Sequence, residues 1–200
     1  METRENLMHA AASLMREVGF DAMTTATVAK RAGVSEGTIY RHFKSKEALA
    51  EAVFADIWRI FNEYMETHLP PRERPVERLE AFFPLTLEAL AALMPSYGAL
   101  AQQDQLHFAA KHGHPHALPC GCQHYVALLE EAIRLAQAVG YVRADLEPSI
   151  AAHFFFFGAG QAMEFYGDPK SPAPTGERLP RAVFEQLFAL MRHALRGGIA

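Results

Sequence analysis

The sequence predicts an all-α chain, with an N-terminal three-helix helix-turn-helix head and a C-terminal helical body. Three observations lead there. Apolar residues recur at spacings of three and four almost throughout, with no sustained period-two alternation. Glycine and proline fall where the periodic runs stop, at Gly19, Gly33, Pro70, Pro71 and Gly140. Charge is divided unevenly: residues 1–50 carry +1 and residues 51–200 carry −5 within a total of −4, and between 25 and 46 five bases face Glu36 alone. A basic segment on an otherwise acidic chain can take phosphate while the remainder repels it.

The elements follow in order. Leu7, Ala11, Leu14, Met15 and Val18 make the apolar stripe of a first helix, which Gly19 is expected to close as a left-handed cap. Thr25 is placed to cap a short second helix carrying Val28, Ala29 and Ala32, ended by Gly33. Ser35 begins a third, through His42, and Ser45 caps a long fourth that runs to about His68 on Leu49, Val53, Ile57, Phe61 and Tyr64. The run Leu69-Pro70-Pro71-Arg72-Glu73-Arg74-Pro75 stops it. Beyond come helices at about 76–94, with Pro84 expected as a kink, at 96–110, at 119–139 closed by Gly140, at 146–166 and at 180–196.

Composition narrows the function classes. Hydrophobic residues at 50% and charged residues at 21% support a packed core and exclude a disordered chain. No apolar run approaches the roughly 20 residues of a membrane span. The opening Met-Glu-Thr-Arg-Glu-Asn is acidic where a secretory signal is basic, so a cytoplasmic protein with no membrane partner is expected. Two cysteines make no disulfide framework.

The stretch Thr24 to Leu49 carries the chemistry. Two short helices joined by a tight glycine turn form a helix-turn-helix, whose second helix enters the DNA major groove. Val28, Ala32, Val34 and Ile39 are spaced to lock the pair, with small Ala29 allowing close approach. The remaining face presents Ser35, Gly37, Thr38, Tyr40, Arg41 and His42.

These residues resemble the tetracycline-repressor (TetR) family of bacterial regulators over roughly residues 5–55. The similarity rests on Gly19-Phe20, Thr24-Thr25, the run Ala29-Lys30-Arg31-Ala32-Gly33-Val34-Ser35, the run Gly37-Thr38-Ile39-Tyr40-Arg41-His42-Phe43, and Lys46-Glu47-Ala48-Leu49. The resemblance implies a homodimer of about nine helices per chain. It implies a DNA-binding domain at 1–46, an effector-binding and dimerisation domain at 47–200, and a cytoplasmic bacterial repressor that lies on the nucleoid when bound to a palindromic operator. Tyr40 and Thr25 match phosphate-contacting positions of the family. Arg41 is the candidate for guanine, Thr38 for a thymine methyl, His42 for a phosphate or base edge, and Lys46 for a further phosphate.

Two other constellations stand out. His116, Cys120, Cys122 and His124 gather soft and imidazole ligands, with His107, His112 and His114 nearby, so a Zn- or Cu-binding or thiol-responsive regulator is the alternative reading. Phe82, Phe83, Tyr97 and Phe108, with Tyr125, Phe155 and Phe156, form an aromatic set expected to line the pocket of a small apolar or aromatic effector. No obligatory cofactor is implied. Arg134 and Lys111 are the nearest candidates for an acidic headgroup. Four consecutive phenylalanines, Phe154 to Phe157, cannot all face one core, so some are expected to meet a pocket or a second subunit. Ile150, Phe154, Phe157, Gly158, Gln161, Ala162 and Phe165 on one face, and Val183, Leu187, Leu190, Met191 and Ala194 on another, are placed at that subunit contact, a four-helix bundle of the last two helices of each chain. An enzyme is the alternative of a different class. It finds no nucleophile elbow, phosphate-cradling glycine loop or HExxH sequence to support it.

Overall fold

The computed structural model describes residues 2–97, 120–167 and 181–196. Among them lie eight helices and no strand, so the described chain is all-α, as predicted. The helices are α1 (Glu2–Ala22), α2 (Thr25–Ala32), α3 (Glu36–His42), α4 (Lys46–His68), α5 (Pro75–Tyr97), α6 (Cys120–Ala138), α7 (Pro148–Gly167) and α8 (Arg181–Arg196). They fall into two compact units, Met1–Glu63 with Ala89–Gly121, and Tyr64–Glu88 with Cys122–Ala200.

In the first unit α1, α2, α3 and the first half of α4 share one core. Leu7, Ala11 and Met15 of α1, Val28 and Ala29 of α2, Ile39 of α3, and Leu49, Ala50 and Val53 of α4 are all buried there. The compact unit therefore extends well past residue 46, because α4 supplies one wall of the head. Gly19 is not the left-handed cap the sequence suggested. At φ 80° and ψ 163° it occupies a region essentially reserved for glycine, and the chain turns there and resumes helix to Ala22. Val18, just before the turn, is exposed, and half-buried Phe20 packs on the core in its stead. The α2 cap is likewise one residue earlier than expected. Thr24 Oγ1 accepts from Thr27 N at 3.2 Å while Thr24 N donates to Thr27 Oγ1 at 3.1 Å, a reciprocal capping box. Gly33 closes α2 as predicted, at φ 69°, with its N–H on Lys30 O and Val34 N–H on Ala29 O at 3.0 Å.

In the second unit Leu79, Phe82 and Phe83 of α5 are buried with Leu129, Ala132 and Ile133 of α6, Ala152 and Phe155 of α7, and Phe188 and Leu195 of α8. Gly140, at φ 76°, turns the chain after α6. Gln137 Nε2 then donates to the carbonyls of Arg143 at 2.9 Å and Leu146 at 2.7 Å, stapling the following turn. Helix α5 runs from Pro75 to Tyr97 through Pro84 as one element, and Pro84 is exposed. Most of the helix predicted at 96–110 lies outside the described residues. No described helix is long and apolar enough to cross a membrane.

Candidate nucleic-acid interface

The site starts with α3, whose seven residues divide into two faces. Ile39 is fully buried against the head, while Tyr40, Arg41 and His42 remain exposed, Tyr40 at 56%. The helix is fixed by that one apolar anchor and by Phe43, buried just beyond it, on whose ring Arg4 of α1 lies 5.1 Å from the centroid. Ser35 and Thr38 share a hydrogen bond between their hydroxyls at 2.9 Å on the opening turn.

Because Thr24 caps α2, the Thr25 side chain serves elsewhere: its hydroxyl donates to Glu36 Oε1. Thr25 Oγ1 also lies 3.4 Å from the Tyr40 hydroxyl, and having one proton, already given to Glu36, it accepts from Tyr40. A directional chain thus runs from Tyr40 through Thr25 to Glu36. Beside it is a surface cleft of about 390 Å³ lined by Thr24, Thr25, Tyr40, Lys44, Ser45 and Lys46, with Asp21, Met23 and Glu47.

The basic residues of segment 25–46 take different places. Arg31 forks onto Glu17 of α1, with Nη2 to Oε2 at 2.7 Å, and this pairing, helped by Ser13, holds the Glu17 carboxyl below its usual range. Lys46 does not reach outward. Its Nζ donates to the carbonyls of Phe20 at 3.0 Å, Met23 at 3.1 Å and Asp21 at 3.4 Å, and lies 4.2 Å from the Phe20 ring centroid. Three carbonyls match the three ammonium protons, so a phosphate at Lys46 competes with partners already in place. Arg41 and Lys44 are exposed, and neither forms an ion pair among the described residues. Gly37 has an ordinary backbone conformation, and a Cβ there would meet only Ser35 Oγ, at 3.9 Å. Nothing inside the head requires glycine at that position.

Among the described residues the Cys/His alternative finds no support. Cys122 is buried, and burial pushes its thiol up to about 12, opposite to what a metal-binding or redox-sensing thiolate needs. Two residues on, His124 is at the surface with Nε2 2.7 Å from Glu66 Oε1. Side chains two apart on a helix diverge, so Cys122 and His124 cannot converge on one ion. No group of three His, Cys, Asp or Glu suited to a metal occurs among the described residues. His107, His112, His114 and His116 lie outside those residues, and Cys120 opens α6.

The aromatic set largely forms the core of the second unit. Phe82 meets Tyr125 at 5.2 Å between centroids, Phe83 stacks on Phe188 at 4.6 Å and meets Phe155 edge-on at 6.2 Å, and Tyr125 meets Phe156 at 5.9 Å. The polar group inside this set is paired: the Tyr125 hydroxyl lies 3.0 Å from Thr86 Oγ1, which donates to Phe82 O at 2.8 Å. Tyr97 ends α5, and Phe108 and Lys111 lie outside the described residues. Arg134 is exposed and paired with Glu130 on its own helix. The four phenylalanines separate as the sequence required: Phe155 is buried, whereas Phe154 is 70% and Phe157 45% exposed. Ile150, one turn before Phe154, is also exposed, as is Leu190 of α8 at 68%. Met191 departs from that expectation and is buried within its own chain, while the side chains of Gln161, Ala162, Phe165, Val183 and Leu187 lie outside those described.

These features define a helix-turn-helix protein with an outward recognition helix, and comparison with known proteins agrees. Residues 7–53 match the family "Bacterial regulatory proteins, tetR family". The transcriptional repressor KstR2 of Mycolicibacterium smegmatis is 35% identical over 89 residues, 44% of this chain and 42% of the repressor, so the match spans under half of that relative. Among solved structures, the fatty acid degradation regulator FadR of Bacillus halodurans superposes with a TM-score of 0.71 over 100% of this chain and 97% of its own, at 20% identity. KstR2 of Mycobacterium tuberculosis, a ketosteroid transcriptional regulator, gives 0.62 over 97% and 95%, also at 20% identity. Over residues 7–53 the chain is thus similar to the DNA-binding segment of TetR-family regulators. The KstR2 relatives named here are regulators of transcription.

Proposed function

We propose that this chain is a DNA-binding transcriptional repressor that holds a palindromic operator as a homodimer and releases it when a small apolar or aromatic effector binds the body. The carrying observation is α3 itself: a seven-residue helix anchored through Ile39 alone, presenting Tyr40, Arg41 and His42 to solvent beside the cleft of Thr25 and Lys44. In this reading Thr25 and Tyr40 position phosphates at the cleft. Ser35, Gly37, Thr38, Arg41 and His42 face the major groove, and Gly37 lets backbone and duplex approach. Lys46 acts indirectly, by bracing the end of α1. The functional division stands at 1–46 and 47–200, with the start of α4 belonging structurally to the head.

Dimerisation rests on the exposed apolar row Ile150, Phe154 and Phe157 with Leu190, side chains that a monomer leaves in water. The effector class rests on the uncharged aromatic set of the body, Phe82, Phe83, Tyr125, Phe155 and Phe156. It also agrees with two structural neighbours, a ketosteroid transcriptional regulator and a fatty acid degradation regulator. Selection from a random duplex pool at moderate salt tests the reading. The expected product is a near-palindrome whose half-sites lie about one DNA turn, roughly 34–36 Å, apart. Recovery of no preferred sequence overturns it.

A further inference from the structure

Within segment 25–46 Glu36 is the sole acid among five bases. On a surface that must approach phosphates, an exposed carboxylate at the first residue of α3 is unfavourable unless it meets a donor. In the unbound chain that donor is Thr25. The Thr25 hydroxyl has one proton, and a phosphate only accepts. Donation to Glu36 and donation to a DNA phosphate therefore exclude each other, and a Thr25–phosphate bond leaves Glu36 in need of another donor.

We propose that Glu36 is an operator-selectivity residue that accepts a hydrogen bond from the exocyclic amine of a cytosine in the major groove when Thr25 turns to phosphate. The chemistry restricts the choice of base. An ionised carboxylate only accepts, and the major groove offers it donors only at cytosine N4 and adenine N6. Adenine sets the N7 acceptor beside its amine, which repels a carboxylate, whereas guanine and thymine present acceptors or a methyl group. Arg41 lies five residues further along α3, about 7.5 Å by helical rise, so Glu36 and Arg41 read different base pairs. Phosphate contact and base reading are thereby coupled through one hydroxyl proton.

This inference rests on the DNA-binding reading above, and the test separates the two. Full-length wild type, E36Q and E36A are each selected against the same random duplex pool, and binding to the wild-type site is titrated with salt. The wild type is expected to require cytosine at one position per half-site. E36Q should shift that position to adenine, the base whose N6 and N7 match an amide, with discrimination changed on the order of tenfold. E36A should lose preference there and nowhere else. Glu36 is exposed, so thermal melting of both variants near that of the wild type checks their folding. Identical base preferences in all three proteins, with E36A merely binding every sequence more tightly, would show Glu36 to be only a repulsive charge and overturn the proposal. If the wild type itself selects no site, the DNA-binding reading falls first.

Discussion

Lys46 is the residue at which sequence and geometry part most sharply. Its position at the start of α4 suggested a phosphate contact, yet its ammonium lies among three carbonyls at the end of α1. Lys46→Met should therefore cost on the order of 2 kcal/mol of stability, the range for hydrogen bonds to a charged group, while leaving the salt dependence of DNA affinity unchanged. A phosphate contact would do the reverse, flattening the slope by about one with little effect on melting. Two buried groups make a separate prediction about pH. Burial raises the Cys122 thiol from 9.0 to about 12 and the Tyr125 hydroxyl from 10.0 to about 12. Folded chain keeps both protons after unfolded chain has begun to lose them. Their contribution to stability is intact below pH 9 and is lost between about 9 and 12, at up to about 1.4 kcal/mol per pH unit for each group. Cys122→Ala should remove the part that begins near 9, measured by denaturant unfolding across that range. A stability profile unchanged by this substitution would contradict the buried, neutral thiol.

At the scale of elements, the recognition helix contains a glycine with no internal need for it. Gly37→Ala should raise stability by about 0.5–1 kcal/mol, since glycine weakens a helix relative to alanine. It should also weaken operator binding, because the added methyl faces the duplex. Melting and DNA titration on the same sample check both signs, and unchanged DNA affinity would place Gly37 away from the interface. The helices themselves were legible because their signals are local. Gly33 ends α2 through bonds reaching three to five residues back, and the apolar spacing of α4 persists over six turns. Gly19 was misjudged because a glycine's positive φ does not disclose its ψ, and the α2 cap because Thr24 and Thr25 carry the same side chain. Tertiary partners gave no local trace. Thr25–Glu36 spans 11 residues, Arg31–Glu17 spans 14 and Lys46–Phe20 spans 26, so the site's residue types could be read but not the bonds that already occupy them.

For the whole molecule, the exposed apolar row on α7 and α8 makes assembly the property to measure. Phe154→Glu together with Leu190→Glu should leave the fold intact, since both side chains are exposed in the single chain, yet yield monomers in sedimentation. Wild-type melting should rise with protein concentration, as expected when association stabilises the folded form, and the double variant should lose that dependence. Dimers persisting in the variant would move the interface elsewhere. The border between the two compact units carries a different consequence, for dissection of the chain. It passes inside α4 after Glu63, inside α5 after Glu88 and inside α6 after Gly121. Helical backbone at all three crossings offers a protease no extended segment to bind. A fragment ending at residue 46 would lack Leu49, Ala50, Val53 and Phe54, and with them one wall of the head. An isolated DNA-binding piece must therefore carry most of α4 with it, and a shorter one is a chain without a closed core.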